Sequence, residues 1–336
     1  MNKIGITTTV PSEILFAAGV TPVDMNNLFI TAEKYDAYIE RAERDGFPKS
    51  MCAWIKGIYG AVLDHKMNTL IGVVEGDCSN TKVLLEILER KGVKMIPFGF
   101  PHDKEPEIMK HQIERLQTLL NVDAEAVEAW RRKLGEIRDL GIALDELTYK
   151  SNQLSGFENH LFLVSFSDFM NDPEAYKETL ILKIKEAKTR EPFNEKIRLG
   201  YIGVPPMQGD LYDYVESLDA RVVYNEVQRE FMFPRWEAAR NVCEQYLDYT
   251  YPYDLNSRLI DISRQIETRK LDAIIHYTQA FCHKAAEDLI IKAELPVPVL
   301  QIEGDKLNEL DARTKLRLEA FIDMLKDKKE LGICAY

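Results

Sequence analysis

Sulfur is the most reactive element in this sequence, and three of its five cysteines fall where a thiolate could serve as a ligand. Cys78 follows the apolar run Thr69-Leu70-Ile71-Gly72-Val73-Val74, in Glu75-Gly76-Asp77-Cys78-Ser79-Asn80, at the expected start of a helix. Cys282 repeats that relation just past Leu271-Asp272-Ala273-Ile274-Ile275-His276, and Cys52 precedes a helix expected over residues 53–63. A helix N-terminus offers unpaired N–H groups and a partial positive charge, which lower a thiol pKa and suit an anionic sulfur centre. The other reading of the same positions is burial in the cores as small apolar side chains. Cys243, read as mid-helix in Ala238-Ala239-Arg240-Asn241-Val242-Cys243-Glu244, fits that second reading, and Cys334 in the C-terminal tail fits either. Separations of 26 and then 204 positions exclude a compact zinc ribbon. Ligands drawn from two domains would instead imply a site in the cleft between them. Three thiolates would leave one iron of a cubane open, able to bind a substrate oxygen as a Lewis acid and to pass an electron.

The elements that must position these sulfurs alternate between short apolar runs and amphipathic stretches, the mark of βαβ units. In the first third, 69–74 and Val93-Lys94-Met95-Ile96-Pro97-Phe98 read as parallel strands. Between them Val83, Leu84, Ile87 and Leu88 recur at helical spacing, with Gly92 as a left-handed cap. Pro11-Ser12-Glu13 opens a short helix that Gly19 ends, and Thr21-Pro22-Val23-Asp24-Met25 reads as an edge strand. From about Glu105 to Lys188 the apolar residues recur at three and four, as in Ile108, Ile113, Leu116 and Leu120, so this stretch reads as a helical bridge. Within it, 155–170 is apolar on more than one face and is expected to be buried. A second alternating region follows, with strands expected over 197–204, 221–224, 271–276 and 297–302. A last helix over 312–326 carries Leu316, Leu318, Phe321, Ile322 and Leu325 along one side. The expected fold is α/β, with two doubly wound parallel-sheet domains at 1–122 and 193–336 and a helical bridge over 123–192. No repeat of solenoid period is visible.

At 336 residues the chain is long enough for two domains of roughly 150. Its net charge of −12 argues against nucleic acid or an anionic membrane as the main partner. No apolar run approaches the ~20 residues of a spanning helix. No apolar signal core precedes Pro11, so the cytoplasm is the expected compartment, with reduced thiols. The motif search is mostly exclusion. There is no G-x-G-x-x-G after a strand, no G-x-x-x-x-G-K-S/T, no H-E-x-x-H, no C-x-x-C and no G-x-S-x-G. His65, His102, His111 and His160 read as surface or core residues.

Several stretches together carry a family likeness. They are the run 10–23, Val-Pro-Ser-Glu-Ile-Leu-Phe-Ala-Ala-Gly-Val-Thr-Pro-Val; the segment Cys52-Ala53-Trp54-Ile55-Lys56-Gly57; the surroundings of Cys78; Cys282-His283; Pro298-Val299-Leu300-Gln301-Ile302-Glu303-Gly304-Asp305; and the run 311–321 from Asp311 to Phe321. In this order, spanning nearly the whole chain, they resemble the 2-hydroxyacyl-CoA dehydratase component family, which also includes benzoyl-CoA reductase subunits and double-cubane cluster proteins. The resemblance implies two Rossmann-like domains and a 4Fe-4S cluster held by Cys52, Cys78 and Cys282. It implies an acyl-CoA substrate and a separate activator ATPase, with its own iron-sulfur cluster, that delivers a low-potential electron. In the dehydratases that electron makes a ketyl radical of the thioester, so that the 2-hydroxy group can leave. A double cubane takes six thiolates and this chain has five cysteines, so a single cluster is expected, with the double-cubane form as the alternative. The resemblance also implies a pair of related subunits, so this short chain is expected to form a homodimer or a heterodimer with a related subunit.

Around such a cluster the nearest polar groups in sequence are Glu75, Asp77, Ser79, Asn80 and His283. His283 and Glu75 are the catalytic candidates, with His283 placed to orient a leaving hydroxyl or donate to a cluster sulfur. Ser79 and Asn80 are the candidates for substrate binding. The plainer roles are helix capping for Ser79 or Asn80 and dipole compensation for Asp77. Two other functions compete with dehydration: a low-potential reductase of the benzoyl-CoA reductase or double-cubane type, and a non-catalytic partner subunit.

Overall fold

The computed structural model describes residues 2–305 and 309–332, so Cys334 lies outside the described residues. The chain divides into two compact units. The first comprises Met1–Leu140, Ser165–Thr179 and Glu230–Asp254; the second comprises Gly141–Val164, Leu180–Arg229 and Leu255–Tyr336.

The first unit holds a sheet of β1 (Asn2–Ile6), β2 (Val20–Asp24), β3 (Thr69–Glu75) and β4 (Lys94–Gly99). Its order is β2-β1-β3-β4 and every pairing is parallel. Parallel neighbours need crossovers, and helices Ala53–Asp64 and Ser79–Arg90 make the ones into β3 and β4. The expected edge strand is β2, one residue out of register with the sequence reading. Strand β1 was not foreseen. Asn2-Lys3-Ile4-Gly5-Ile6 is five residues long with a charge and a glycine, too short and mixed to show a period, yet it lies at the centre of the sheet.

The second unit repeats the plan with β5 (Ile197–Gly203), β6 (Ala220–Asn225), β7 (Ala273–Gln279) and β8 (Val299–Gly304), ordered β6-β5-β7-β8 and all parallel. Both faces of this sheet are covered. Leu199, Tyr201, Ile275 and Tyr277 point to Leu318, Ile322 and Leu325 of the Ala312–Glu330 helix, while Ile202, Tyr224 and Ile274 meet Leu259, Ile262 and Ile266 of the Leu255–Arg269 helix. The alternation of side chains along each strand sends neighbours to opposite layers, so a doubly wound sheet follows from runs apolar at every position. Two parallel α/β sheets are the fold that the alternation predicts.

Three local expectations change. Strand β7 runs to Gln279 rather than ending at His276; Tyr277, Thr278 and Gln279 are fully buried, and their polar tips had disguised them as loop. Leu316 is 65 % exposed, so the buried stripe of the last helix is Leu318, Ile322 and Leu325. Within 155–170 only Leu163, Phe166 and Phe169 among the large apolar residues are buried, and Phe157, Leu161 and Met170 are exposed. Residues 106–187 carry the helices Pro106–Leu120, Ala124–Tyr149, Gly156–Val164 and Pro173–Ala187, with no strand. Among the described residues no helix is long and apolar enough to cross a membrane.

Candidate functional site

In an open parallel sheet the crossover helices run back from the carboxyl edge of the strands to the amino edge, so helix starts and strand ends share one side. The Ala53–Asp64 helix leads into β3, which puts its start at the carboxyl edge of the first sheet. Cys52 is its N-cap residue. Cys78 lies three residues beyond β3 and is the N-cap of Ser79–Arg90. The two thiols therefore occupy the same edge of the same sheet. In both sheets the chain reverses its winding between the first strand and the third, β1 and β3 or β5 and β7, and ligands of such folds sit at that point. Cys282, three residues beyond β7, holds the matching place in the second unit as N-cap of the 3-10 helix His283–Glu287.

All three N-caps are cysteine, and none of them makes a side-chain capping hydrogen bond. Such positions ordinarily take Ser, Thr, Asp or Asn, at a gain of about 1 kcal/mol each. Sulfur in their place forgoes that gain and sets a partly exposed thiol in the field of the first-turn amides. Ser79 and Asn80 do not cap: they occupy the first turn behind Cys78. Glu75 ends β3 exposed to solvent, its carbonyl accepting from the Phe100 amide at 3.0 Å.

The turns that present the sulfurs are constrained. The pairing of β3 with β4 shifts register between Val73 and Glu75, a local irregularity of the kind that re-aims the chain beside functional sites. Gly76 follows with φ +92, and a Cβ there would lie 2.6 Å from the Pro252 carbonyl oxygen, so no other residue fits this bend. In the second unit the left-handed residue is Phe281, at φ +61 and 77 % exposed, directly before Cys282. A bulky residue in that conformation stores strain next to the thiol.

Behind Cys282 lies a buried ionic network. The wholly buried Arg258 guanidinium donates from Nε to Glu226 Oε1 at 2.7 Å and from Nη2 to Glu226 Oε2 at 2.9 Å, and Nη1 donates to Glu287. Glu226 Oε2 also accepts from the Gly203 amide, at 2.9 Å, at the end of β5. Burial raises the Glu287 pKa, but the charges of Arg258 and Lys284 outweigh it and hold the carboxyl below its ordinary range. Next to it, His276 on β7 pairs through Nδ1 with Asp288 Oδ1 at 3.1 Å, and burial keeps this imidazole neutral. His283 is exposed on one side. Partial desolvation and the neighbouring Lys284 lower its pKa, so it also carries a neutral ring at pH 7.

Cys243 stands apart from these three. It lies in the first turn of Val242–Asp248 rather than mid-helix, because Asn241 caps that helix and accepts from the Glu244 amide. Burial and the nearby carboxylates of Glu244 and Glu107 push its thiol pKa up, which keeps the proton on sulfur. Among the described residues no group of three or more His, Cys, Asp or Glu side chains is arranged to hold a metal ion.

His65, His102 and His111 are exposed. His160 is packed between Phe157 and Tyr212, with Gln228 Nε2 at 2.8 Å from its Nδ1, and burial lowers its pKa to about 4. The unfolded chain binds this proton first, near pH 6.5, so stability falls as pH drops from there toward 4. At pH 5 the loss from this one ring is about 1–2 kcal/mol, allowing for its partial exposure. Urea unfolding at pH 7 and pH 5 should show a gap smaller by about 1 kcal/mol in His160→Gln than in the parent. An unchanged gap would remove His160 as its source.

Arg258, Glu226, Glu287 and the His276–Asp288 pair were not singled out from sequence. Charged residues in amphipathic helices read as solvent-facing, and only the fold turns them inward. The three cysteines were legible, because a helix start after an apolar run can be read without the fold. A family model described as 2-hydroxyglutaryl-CoA dehydratase, D-component, matches residues 7–325. No curated protein matches the chain.

Proposed function

Because this chain belongs to the 2-hydroxyglutaryl-CoA dehydratase D-component family, we propose that it is the iron-sulfur component of a 2-hydroxyacyl-CoA dehydratase-type radical enzyme. In this reading it removes water from a 2-hydroxyacyl-CoA after ATP-coupled one-electron reduction by a separate activator. The word component in the family's description supports an assembly with further parts, and a related subunit and the activator ATPase are the partners proposed. The observation that carries the reading is the placement of Cys52, Cys78 and Cys282: each is the N-cap residue of a helix.

Cys52, Cys78 and Cys282 would hold a 4Fe-4S cluster. Bound there, the cluster would supply an iron open to a substrate oxygen and a path for a single electron. The chain's own contributions follow from its geometry. The first-turn amides at the helix starts favour thiolate over thiol, the form that binds iron. The bend at Gly76 and the strained turn at Phe281 fix where the sulfurs point. His283, neutral beside Cys282, has a ring N–H to offer a departing hydroxyl, and the exposed Glu75 carboxyl is the candidate for handling the β-proton. Ser79 and Asn80, at the start of the helix behind Cys78, are the candidates for substrate contact.

Anaerobic purification followed by iron and sulfide analysis tests the reading. Iron and sulfide in equal amounts, with a broad visible charge-transfer absorption, are expected. Protein kept from air that contains neither would overturn it.

A further inference from the structure

The carboxyl edge of the second sheet holds a carboxamide whose oxygen is unused. Gln208 lies on the loop that leaves β5 and leads to helix Leu211–Ser217, and it is 8 % exposed. Its Oε1 is buried with no hydrogen-bond partner. The side chains around it are fixed. Tyr277 OH accepts from the Met207 amide at 3.2 Å and donates to Gln279 Oε1 at 2.9 Å, and Gln279 Nε2 lies 2.7 Å from Met207 Sδ. Gly304, at the end of β8, lets this group approach: a Cβ there would stand 2.1 Å from Tyr277 OH and 2.6 Å from Gln208 Nε2. An oxygen held this firmly without a donor has lost its water and gained nothing in return, so its retention calls for a donor from outside the chain. His276 Nε2 and Thr278 Oγ1 also lack partners, but both residues are 0 % exposed, whereas Gln208 keeps 8 % of its surface open although its oxygen is itself buried.

The same strand ends carry Cys282. The Gly304 carbonyl accepts from the Ala280 amide at 2.7 Å, and the Gln279 carbonyl accepts from the Cys282 amide at 3.0 Å. Gln208 and Cys282 therefore belong to the same edge of this sheet. Near its reacting carbons a 2-hydroxyacyl thioester has one hydrogen-bond donor common to every such substrate, the 2-hydroxyl, since the thioester itself carries no N–H.

We propose that Gln208 Oε1 accepts a hydrogen bond from the substrate's 2-hydroxyl and so selects 2-hydroxyacyl thioesters over acyl thioesters that lack the hydroxyl. The inference rests on the proposed function. A site built to take a hydroxyl rejects the analogue without one, because the buried acceptor is then left unpaired.

Binding to the anaerobically purified protein, with no turnover, tests it using lactoyl-CoA and propionyl-CoA, the smallest pair that differs only in that hydroxyl. The parent protein should bind lactoyl-CoA about tenfold or more tighter than propionyl-CoA. Gln208→Met, close in shape and without the acceptor, should bring the ratio to within about threefold by weakening lactoyl-CoA and not propionyl-CoA. Gln208→Glu, which keeps an oxygen at that place, should retain part of the preference. Thermal melting confirms that each variant folds, and Gln208→Asn, with a shorter reach, carries the test should the methionine variant not fold. A parent that binds both thioesters alike, or a folded Gln208→Met or Gln208→Asn that keeps the full preference, overturns the role of Gln208 and leaves the dehydratase reading standing. A parent that binds neither thioester overturns both.

Discussion

Cys52→Ser, Cys78→Ser and Cys282→Ser are each expected to leave the anaerobically purified protein depleted of iron and sulfide, whereas Cys243→Ser retains both. The expected contrast comes from the environments of the sulfurs. Three of them stand at helix starts whose amides are not capped by any side-chain oxygen of the N-cap residue, the setting that favours thiolate. The fourth is half-buried next to Glu244 and Glu107, with its Sγ donating to the Pro106 carbonyl, a setting that keeps the proton. Serine preserves size and would even restore an oxygen cap, so the helices should hold or gain slightly, by about 1 kcal/mol at most. Loss of iron would then be loss of a ligand and not of the fold. Even a change in the outer shell of a metal site costs roughly 10–100-fold in affinity, and removal of a directly bound thiolate should cost more. The measurement is iron and sulfide per chain together with a melting temperature for each variant. Equal iron content in all four variants would remove the thiolate assignment.

The sequence made these three positions legible for a physical reason. The alternation of apolar runs with amphipathic stretches locates strand ends and helix starts to within a few residues, and in parallel α/β sheets those two features converge on one edge. Cys78 needed only the run before it and the helical spacing after it. The ending of β7 was harder, because Tyr277, Thr278 and Gln279 look polar but their backbones continue the ladder to β8. The central strand β1 escaped because five mixed residues show no period. What the sequence could not reveal was which polar side chains turn inward. Glu226 and Arg258 are 32 positions apart, on different helices, and Glu287 follows 29 positions later. No local pattern marks a pair that meets only across a folded sheet edge, and Gln208 escapes for the same reason.

Arg258→Met should be strongly destabilising. The guanidinium makes two hydrogen bonds to Glu226 and one to Glu287, and both Arg258 and Glu226 are 1 % exposed. A buried ion pair adds little over an apolar pair of equal volume, since desolvation of the two charges offsets most of their attraction. Removing one partner alone is different: Glu226 would be left with only the Gly203 amide, and Glu287 with Lys284. Breaking a buried pair in this way costs about 3–5 kcal/mol. The double substitution Arg258→Met with Glu226→Leu should recover a large part of that loss, because no charge is then stranded at the end of β5. Urea unfolding of the parent, both single variants and the double variant gives the coupling directly. Additive losses would mean that the pair does not act as a unit. A functional consequence follows from the same geometry. Glu287 closes the short helix that begins at Cys282, so freeing it from Arg258 loosens the backbone that aims the sulfur. Iron content in Arg258→Met should therefore fall at temperatures where the protein is still folded, and Glu287→Gln, which keeps a hydrogen-bond acceptor for Arg258 but not the charge, should show the smaller loss.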